Sequence, residues 1–391
     1  MMAIHSFPTF HSAHLKKPDT TPDHMGLVWP AKTTWLYKGR AAVYYSIKAL
    51  SLNPGDEILF PAYHCQSIVN AVLETGCRIK FYDIERDTNI DIKTIEGLIT
   101  DKTKALFIIH YYGFPQPISE IKELCQKHKL FLMEDCAHAL FSRDKERWLG
   151  SSGDISIYTV YKTLPVPDGG VLVINNDNFN LTDEILPQTF GLRARNRFFL
   201  IKNSFQAKYE ASYKVFKLLI ENPLRWLFRF YKKLLKNSVL SGMTDATSYR
   251  FNPALAKYAA QKMTKVICEN TDVRVLVNQR RNKFQFLLNR FKNNKQLKCL
   301  YPHLPMGVCP LFFPIILEDR DRVYDALVKN NVHAFIFGKD LHNTLLKDQC
   351  PQSRHFADHV LCLPIHEDIS QSQLNMMAEQ VESMYLKGGM I

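Results

Sequence analysis

The sequence predicts an α/β fold: a mostly parallel sheet with helices on both faces, followed by a smaller C-terminal α+β region. Helical and strand patterns alternate between residues 40 and 175, which is typical of parallel strands joined by crossover helices. Near Arg274 this alternation gives way to a long helical pattern and then to mixed strands and helices. A chain of 391 residues is also too long for one small core, so two domains are expected.

The expected domain organisation has three parts. Residues 1–27 have little periodicity and are predicted to be an N-terminal arm. Residues 28–265 are predicted to be the large domain, which carries a basic helical insertion at about 190–245. Residues 266–391 are predicted to be the small C-terminal domain.

The elements of the large domain follow from local patterns. Arg40–Leu50 has helical periodicity, and a Pro-Gly turn follows it. Short apolar runs then predict four buried strands: Glu57–Phe60, Arg78–Phe81, Ala105–Ile109 and Leu130–Met133. The run Ile155–Tyr161, which is rich in β-branched and aromatic residues, predicts a further strand.

The C-terminal region has its own strand and helix patterns. Strands are predicted at Leu311–Ile316 and Val360–Pro364. A helix is predicted to begin at Val273, and two more cover Arg320–Asn330 and Gln371–Tyr385. This mixture predicts the smaller α+β unit.

The most informative pair of residues is Asp135 and Lys162. Both come at the ends of predicted strands, where ligands bind in open parallel sheets. Pyridoxal phosphate chemistry needs a lysine that forms a Schiff base with the cofactor aldehyde and a carboxylate that keeps the pyridine nitrogen protonated. Because the doublet Gly169-Gly170 follows Lys162 by seven residues, this order predicts a pyridoxal phosphate site.

Both residues also have simpler interpretations. A lysine is most often a solvated surface residue. Asp135 could be the N-cap of a helix that starts at Cys136, although the same carboxylate could also face a ligand.

Other candidate cofactor residues lie near the same predicted sheet edge. Gly39, Arg40 and Ala41 open a helix, whose backbone N–H groups and dipole suit a phosphate, with ordinary turn chemistry as the alternative. His64 follows a strand and could face the cofactor or simply pack in its loop. The remaining two candidates, each with a core or interface role as the alternative, are His110 and His138.

Together these residues resemble the DegT/DnrJ/EryC1/StrS family, the sugar aminotransferases of the aspartate aminotransferase (type I) fold. The resemblance covers roughly residues 30 to 175 and 245 to 385, and it rests on the order and spacing of short segments. These segments are Gly39–Ala42, Pro54–Glu57, Pro61–Tyr63, His110–Gly113, Glu134–Ala139, Gly153–Ile155, Lys162, Asp168–Gly170, Tyr249–Arg250 and Val360–His366.

The resemblance implies the pyridoxal phosphate-dependent type I fold, with a seven-stranded, mostly parallel sheet, and pyridoxal 5'-phosphate as the cofactor. It implies that Lys162 is the Schiff-base lysine and proton carrier, that Asp135 is the pyridinium partner and that His138 neighbours the ring. The implied reaction transfers an amino group, usually from glutamate, to a nucleotide-linked keto sugar for a surface polysaccharide such as lipopolysaccharide.

The family works as a homodimer in which each site is completed by the neighbouring chain. The residues expected to contact substrate or the neighbouring subunit are His110, Ser248, Tyr249 and Arg250. Small-molecule substrates are the expected partners, and no nucleic acid is expected.

The chain departs from the family pattern at four places. The stretch from Gly153 to Lys162 is about two residues short, so Thr159 is the nearest candidate for the hydroxyl that binds phosphate. Ser248 stands where asparagine is common, and prolines at 165 and 167 stiffen the loop after Lys162. The fourth departure is the basic insertion.

Most of the net charge of +12 lies in that insertion. Residues 191–240 contain twelve Lys or Arg and two Glu, so the rest of the chain is nearly neutral, which argues against nucleic acid binding. Residues 222–236 form a basic amphipathic pattern that predicts either peripheral membrane contact or packing on the protein body. The sequence has no apolar run long enough to span a membrane and no signal peptide, so a cytoplasmic protein is expected. If the basic segment binds lipid, the protein is expected at the inner face of the membrane.

The nine cysteines form no C-x-x-C pair, which predicts reduced thiols and no metal site. Two alternative functions stay open. One is a pyridoxamine-dependent sugar dehydratase, against which the retained Lys162 argues because that chemistry is associated with loss of the lysine. The other is a noncatalytic relative that uses its basic helix as a membrane- or partner-binding module.

Overall fold

A computed structural model describes residues 3–10, 29–208, 222–223, 249–294, 297–346 and 348–386. Its strands, in chain order, are β1 (Thr33–Leu36), β2 (Glu57–Pro61), β3 (Arg78–Tyr82), β4 (Thr103–Ile109), β5 (Phe131–Asp135), β6 (Arg143–Asp144), β7 (Arg147–Trp148), β8 (Ile155–Thr159), β9 (Gly170–Ile174), β10 (Lys298–Cys299), β11 (Phe312–Ile316) and β12 (Val360–Pro364). Its helices are α1 (Gly39–Ala49), α2 (Gln66–Leu73), α3 (Ile92–Leu98), α4 (Ile118–His128), α5 (Phe190–Lys208), α6 (Pro253–Ala256), α7 (Lys262–Glu269), α8 (Val273–Phe291), α9 (Arg320–Lys329), α10 (Pro351–His359) and α11 (Gln371–Leu386).

The main sheet has seven strands in the order β1-β9-β8-β5-β4-β2-β3. Its pairings are parallel except those of β9 with β8 and with β1. The predicted α/β class with a mostly parallel seven-stranded sheet is therefore confirmed. A second, antiparallel sheet of β10, β11 and β12 belongs to the C-terminal region, while the domain boundaries given above stay predictions.

Apolar side chains on both faces of the main sheet are buried in the core and stabilise it. Strand β8 is buried along its whole length, with Ile155 and Ile157 almost fully inaccessible. Burying one such side chain stabilises the fold by about 1.5–3 kcal/mol. The hydrogen-bonded pairings of β8 place Ile157 opposite Asp135 of β5 on one side and Leu172 of β9 on the other.

One predicted strand boundary was wrong, and one alternative interpretation does not hold. The predicted strand Ile155–Tyr161 ends at Thr159, because its partner β9 starts at Gly170 and residues 160–162 turn into a 3₁₀ helix. The helix after Cys136 that the alternative interpretation of Asp135 required does not form; residues 136–142 make turns instead. The strands β1, β6, β7, β9 and β10 were not predicted, since they are short or follow glycine.

The parallel arrangement sets the place of the candidate site. Ile109 of β4 pairs with Asp135 of β5, and Asp135 pairs with Ile157 of β8. The carboxyl ends of these three strands therefore meet at one edge of the sheet. Helix α1 packs on β8 and β9, which brings Gly39, its first residue, to the same edge.

The structure also describes residues 3–10 of the predicted N-terminal arm. Ile4 forms a parallel bridge with Val332, so residues 3–10 pack on the C-terminal region. The basic segment 222–236, with its predicted membrane contact, lies outside the described residues apart from Asn222 and Pro223. In the part of the chain that the structure describes, no helix combines the length and apolar character needed to cross a membrane.

Candidate functional site

Lys162 is the last residue of the 3₁₀ turn beyond β8, and its side chain is half-buried. Burial lowers the pKa of the Lys162 amine, while the Asp135 carboxylate and Cys65 oppose that shift. The amine is therefore neutral more often near neutral pH than that of an ordinary lysine. A neutral amine is the nucleophilic form that carbonyl chemistry requires.

Asp135 ends β5 and is only 4% exposed. Burial raises the pKa of its carboxyl group, and the Lys162 charge, the Ala137 N–H and His110 counteract that effect. Ala137 N donates to Asp135 Oδ1 at 2.8 Å, which fixes the carboxylate in the turn after the strand. The structure thus brings the two principal predicted residues, Asp135 and Lys162, within electrostatic reach of each other.

His138 lies in the same place, between two aromatic rings. Its ring stacks on Tyr112 with centroids 5.6 Å apart and meets the edge of Phe337 at 4.7 Å. Burial and the Lys162 charge hold the pKa of His138 well below its ordinary value, so its imidazole stays neutral. A neutral, buried ring beside Lys162 is consistent with the predicted neighbour of a cofactor ring.

His110 has the core contacts that the alternative interpretation described, and its expected contact with substrate or a neighbouring subunit stays a prediction. Its Nδ1 accepts from Gln116 N at 3.1 Å, which leaves Nε2 to donate to Glu134 Oε2 at 2.9 Å. Both ring nitrogens therefore have partners in the protein, and the ring is fully buried. His110 therefore stabilises the ends of β4 and β5 through its hydrogen bond to Glu134.

Glu134 has several hydrogen-bond partners besides His110. It also accepts backbone N–H groups from the loop before β8, at Gly150, Ser152 and Gly153. Burial alone would raise the pKa of Glu134, but the hydrogen bond from His110 and the backbone donors outweigh burial and lower that pKa.

A metal ion does not suit this cluster, although ligand atoms of His110, Glu134 and Cys136 lie within 4.8 Å of one another. The histidine and the carboxylate already bind each other and the backbone. Burial also raises the pKa of the Cys136 thiol well above its ordinary value, so the sulfur stays protonated.

His64 is likewise packed within its own surroundings, as the alternative interpretation described, and its expected contact with the cofactor stays a prediction. Its Nδ1 donates to Pro61 O at 3.1 Å, and its Nε2 accepts from His342 N at 3.1 Å. Its ring stacks on Phe81 at 5.2 Å. The sequence could not reveal this, because His342 is 278 residues away.

This arrangement predicts an acid-sensitive fold. Burial lowers the pKa of His64 from 6.5 to about 4, so between these pH values the unfolded chain binds more protons than the folded one. Stability should therefore fall as the pH is lowered from 6.5 to about 4, with His64 contributing roughly 3 kcal/mol. In His64→Gln, whose amide can donate and accept without titrating, the free energy of urea unfolding should depend less steeply on pH.

The exposed His303 provides the control, since His303→Gln should leave the wild-type pH slope unchanged. The slope is the informative quantity, because losing the stacked imidazole also lowers stability at neutral pH. Equal slopes for wild type and His64→Gln would refute the assignment.

Gly39 and Thr159 form the predicted phosphate region. Thr159 is buried at the end of β8, and a Cβ on Gly39 would overlap its hydroxyl. Glycine is thus required for this approach of α1 to β8. Of the other two predicted residues, Ala41 donates its N–H to Lys38 O at 3.0 Å, and Arg40 extends its guanidinium to Arg250 O at 3.2 Å.

The doublet Gly169-Gly170 allows similarly close packing. A Cβ on Gly170 would overlap the backbone of Lys38, and Gly169 has a φ of +117°, which other residues rarely adopt. The preceding Asp168 is buried and accepts from side chains and backbone of two later segments, at Gln188, Gln261 and Thr264. The loop after Lys162 is therefore anchored at its far end.

Two residues near the site were missed. Lys38 Nζ lies 4.3 Å from the ring centroid of Tyr161 and donates to Pro167 O at 3.2 Å. Burial lowers the pKa of Lys38 to about 8. Burial raises the pKa of Tyr161 to about 12, and the charge of Arg40 works in the opposite direction. In the sequence, the position of Lys38 directly before Gly39 could have indicated that Lys38 lies near the site.

Tyr249 and Arg250 contact their own chain in the structure. Tyr249 Oη donates to Asp340 Oδ2 at 2.7 Å, and Asn70 Nδ2 donates to Tyr249 O at 3.1 Å. Their contribution to a neighbouring subunit stays a prediction. Ser248, the remaining predicted residue, lies outside the described residues.

Comparison with known proteins gives a family-model match over part of the chain and a fold match over most of it. A model of the DegT/DnrJ/EryC1/StrS aminotransferase family matches residues 36–207. A GDP-perosamine synthase from Escherichia coli O157:H7 is 36% identical over 146 residues, which are 37% of this chain and 40% of that protein. The alignment therefore spans well under two thirds of that relative.

Solved structures match over more of the chain. PseC of Helicobacter pylori, an aminotransferase involved in pseudoaminic acid biosynthesis, has a TM-score of 0.68 at 16% identity and covers 99% of this chain and 100% of its own. NtdA from Bacillus subtilis, with bound cofactor PMP, has a TM-score of 0.62 at 20% identity and covers 90% and 72%. These matches show that nearly the whole chain has the fold of this group.

Proposed function

We propose that this chain, whose residues 36–207 match a model of the DegT/DnrJ/EryC1/StrS aminotransferase family, is a pyridoxal phosphate-dependent aminotransferase. Its acceptor is a nucleotide-linked keto sugar, and its amino donor is glutamate. The observation that carries this proposal is the placement of Asp135 at the end of β5 and of Lys162 in the turn directly after β8, the neighbouring parallel strand.

The residues of the site fit the cofactor. When bound, pyridoxal phosphate supplies an aldehyde for covalent attachment and a ring that accepts electrons. Lys162 Nζ offers the amine for that attachment, and Asp135 offers a carboxylate for the ring nitrogen. The neutral imidazole of His138 lies beside them, and the hydroxyl of Thr159 lies against Gly39 at the start of α1.

Asp135 is suited to hold a proton on the ring nitrogen. Its burial makes an isolated negative charge unfavourable, which raises its pKa. A cationic N–H partner would offset that cost through a charge-assisted hydrogen bond. The Ala137 N–H keeps the carboxylate in place for this contact.

Lys162 is suited to move a proton during amino transfer. Burial favours the neutral form of its amine, so Nζ can accept a proton from one carbon and return it to another. Its turn begins directly after β8, a rigid and buried strand, so the amine stays near the reacting atoms. The lowered pKa brings the amine closer to the range in which a general acid-base group works at neutral pH.

The acceptor and the assembly are proposed from relatives. The name of GDP-perosamine synthase contains a nucleotide sugar, and PseC is described as an aminotransferase in pseudoaminic acid biosynthesis. A role in making a surface polysaccharide follows by similarity. A homodimer whose two chains share each site, with Tyr249 and Arg250 contributing, belongs to the same proposal.

Reconstitution with pyridoxal phosphate tests the proposal. The protein should become yellow, lose its visible absorbance band when glutamate is added, release 2-oxoglutarate and regain the band with a nucleotide-linked keto sugar. Borohydride treatment followed by peptide mapping should place the reduced cofactor on Lys162. A colourless protein that does not respond to the cofactor would instead favour the binding module, and sugar dehydration without an amino donor would favour the dehydratase.

A further inference from the structure

Arg280, in the middle of α8, is the largest fully buried side chain among the described residues, with 1% exposure. A guanidinium group stays charged at every physiological pH. Burying that charge is costly unless its partners have good geometry. The identity of those partners therefore indicates what the charge is for.

The partners lie on two distant segments. Arg280 Nη2 donates to the backbone carbonyl of Thr163 at 2.8 Å, directly after Lys162. The same side chain binds Glu367 Oε2 through Nη2 at 3.0 Å and Nε at 3.3 Å. Because Glu367 follows β12, one side chain joins α8, the Lys162 turn and the C-terminal region.

The contact with Thr163 closes the near end of the Lys162 loop. The turn itself is held by hydrogen bonds from Thr163 N and Leu164 N to Val160 O, at 3.0 and 2.8 Å. The far end is held at Asp168 by Gln188 and two later residues, as described above. Arg280 supplies the side-chain contact at the end that carries the amine.

We propose that Arg280 is a positioning residue that holds the Lys162 amine beside Asp135, and that Glu367 orients Arg280 for this task. The inference rests on the proposed function for the role of the amine. It predicts that disturbing either residue displaces Lys162 without removing any group that reacts.

The pH at which Lys162 titrates reports such a displacement. Burial, Asp135 and Cys65 set the pKa of the amine, and Arg280 is not among these influences. A changed titration midpoint in an Arg280 variant would thus reflect a moved or rehydrated amine. A purely structural role for Arg280 would change stability and leave this midpoint alone.

The test uses the full chain without cofactor. Its lysines are acylated briefly at a series of pH values, and the modified fraction of Lys162 is measured by peptide mass spectrometry. The variant Arg280→Lys keeps the charge but cannot span both acceptors. Its Lys162 midpoint should rise by about one pH unit, which means that about tenfold less of the Lys162 amine is neutral at a given pH below the midpoint. In the cofactor-loaded protein, kcat should fall while KM for glutamate changes little.

Arg281 provides the matched control. It is the next residue of α8 and donates from Nη1 to Pro305 O and Val308 O, both at 2.7 Å, with no contact to the Lys162 loop. Arg281→Lys should reduce stability and leave the midpoint of Lys162 at its wild-type value.

Glu367→Ala is the second variant and keeps the test decisive if Arg280→Lys does not fold. It should raise the midpoint by less than Arg280→Lys, and the double variant should shift no further than Arg280→Lys alone, because both changes act on one link. A folded Arg280→Lys with an unchanged midpoint overturns the inference, as does an unchanged midpoint in Glu367→Ala when only that variant folds. Failure of the proposed function would appear separately, as wild-type protein in which borohydride fixes no cofactor on Lys162.

Discussion

Replacing Lys162 with arginine should lower kcat by roughly 10⁴-fold or more, because arginine retains the charge but supplies neither the nucleophile nor the proton carrier. The Lys162 side chain lies just beyond the end of β8, beside Asp135. No other lysine among the described residues lies at this point of the turn to replace it. The half-reaction with glutamate, followed as loss of the visible band in a stopped-flow instrument, measures this effect. Thermal unfolding should change little, since the side chain is only half-buried.

Lys38 is the internal control for this prediction. It is another half-buried lysine close to the site, and burial lowers its pKa to about 8. Its Nζ lies over the Tyr161 ring and donates to Pro167 O. Reduced cofactor found on Lys38, or glutamate turnover retained in Lys162→Arg, would show that the wrong amine has been assigned.

Replacing Asp135 with asparagine should separate activity from stability. Removing one preorganised electrostatic partner typically costs about 10²–10³-fold in kcat. The pKa of Asp135 is raised by burial, so the folded chain binds more protons than the unfolded chain above pH 3.8, and the ionised carboxylate costs stability at neutral pH. The free energy of urea unfolding of cofactor-free Asp135→Asn at pH 7 should therefore equal or exceed that of the wild type.

The adjacent Glu134 offers a contrast on the same strand. Its pKa is lowered by His110 and backbone donors that outweigh burial, so its ionised form stabilises the folded state at neutral pH and that stability is lost as the pH falls through the lowered pKa. Glu134→Gln should reduce the free energy of unfolding by about 1.5–3 kcal/mol, the typical contribution of a hydrogen bond to a charged group. If Asp135→Asn destabilised the cofactor-free protein as much as Glu134→Gln, its carboxylate would be structural.

Several features of this protein follow from local sequence alone. The apolar runs that become β2, β3, β4 and β5 are short and bounded by turn residues, so neighbouring residues suffice to predict them. Once these strands are parallel, the residues after them must meet at one edge. The proximity of Asp135 and Lys162 was therefore predictable, although Lys162 comes from a 3₁₀ turn that the pattern of Ile155–Tyr161 did not indicate.

The directions of the histidines and the partners of buried charges were decided by tertiary structure. His64 points into the core because its Nε2 accepts from His342, and Arg280 is placed by Thr163, 117 residues earlier, and by Glu367. Such contacts depend on packing between segments that are remote in the chain, and a periodic pattern has no information about them. Local apolar periodicity thus determined which strands end at the site, whereas long-range hydrogen bonding of buried polar groups decided which side chains face it.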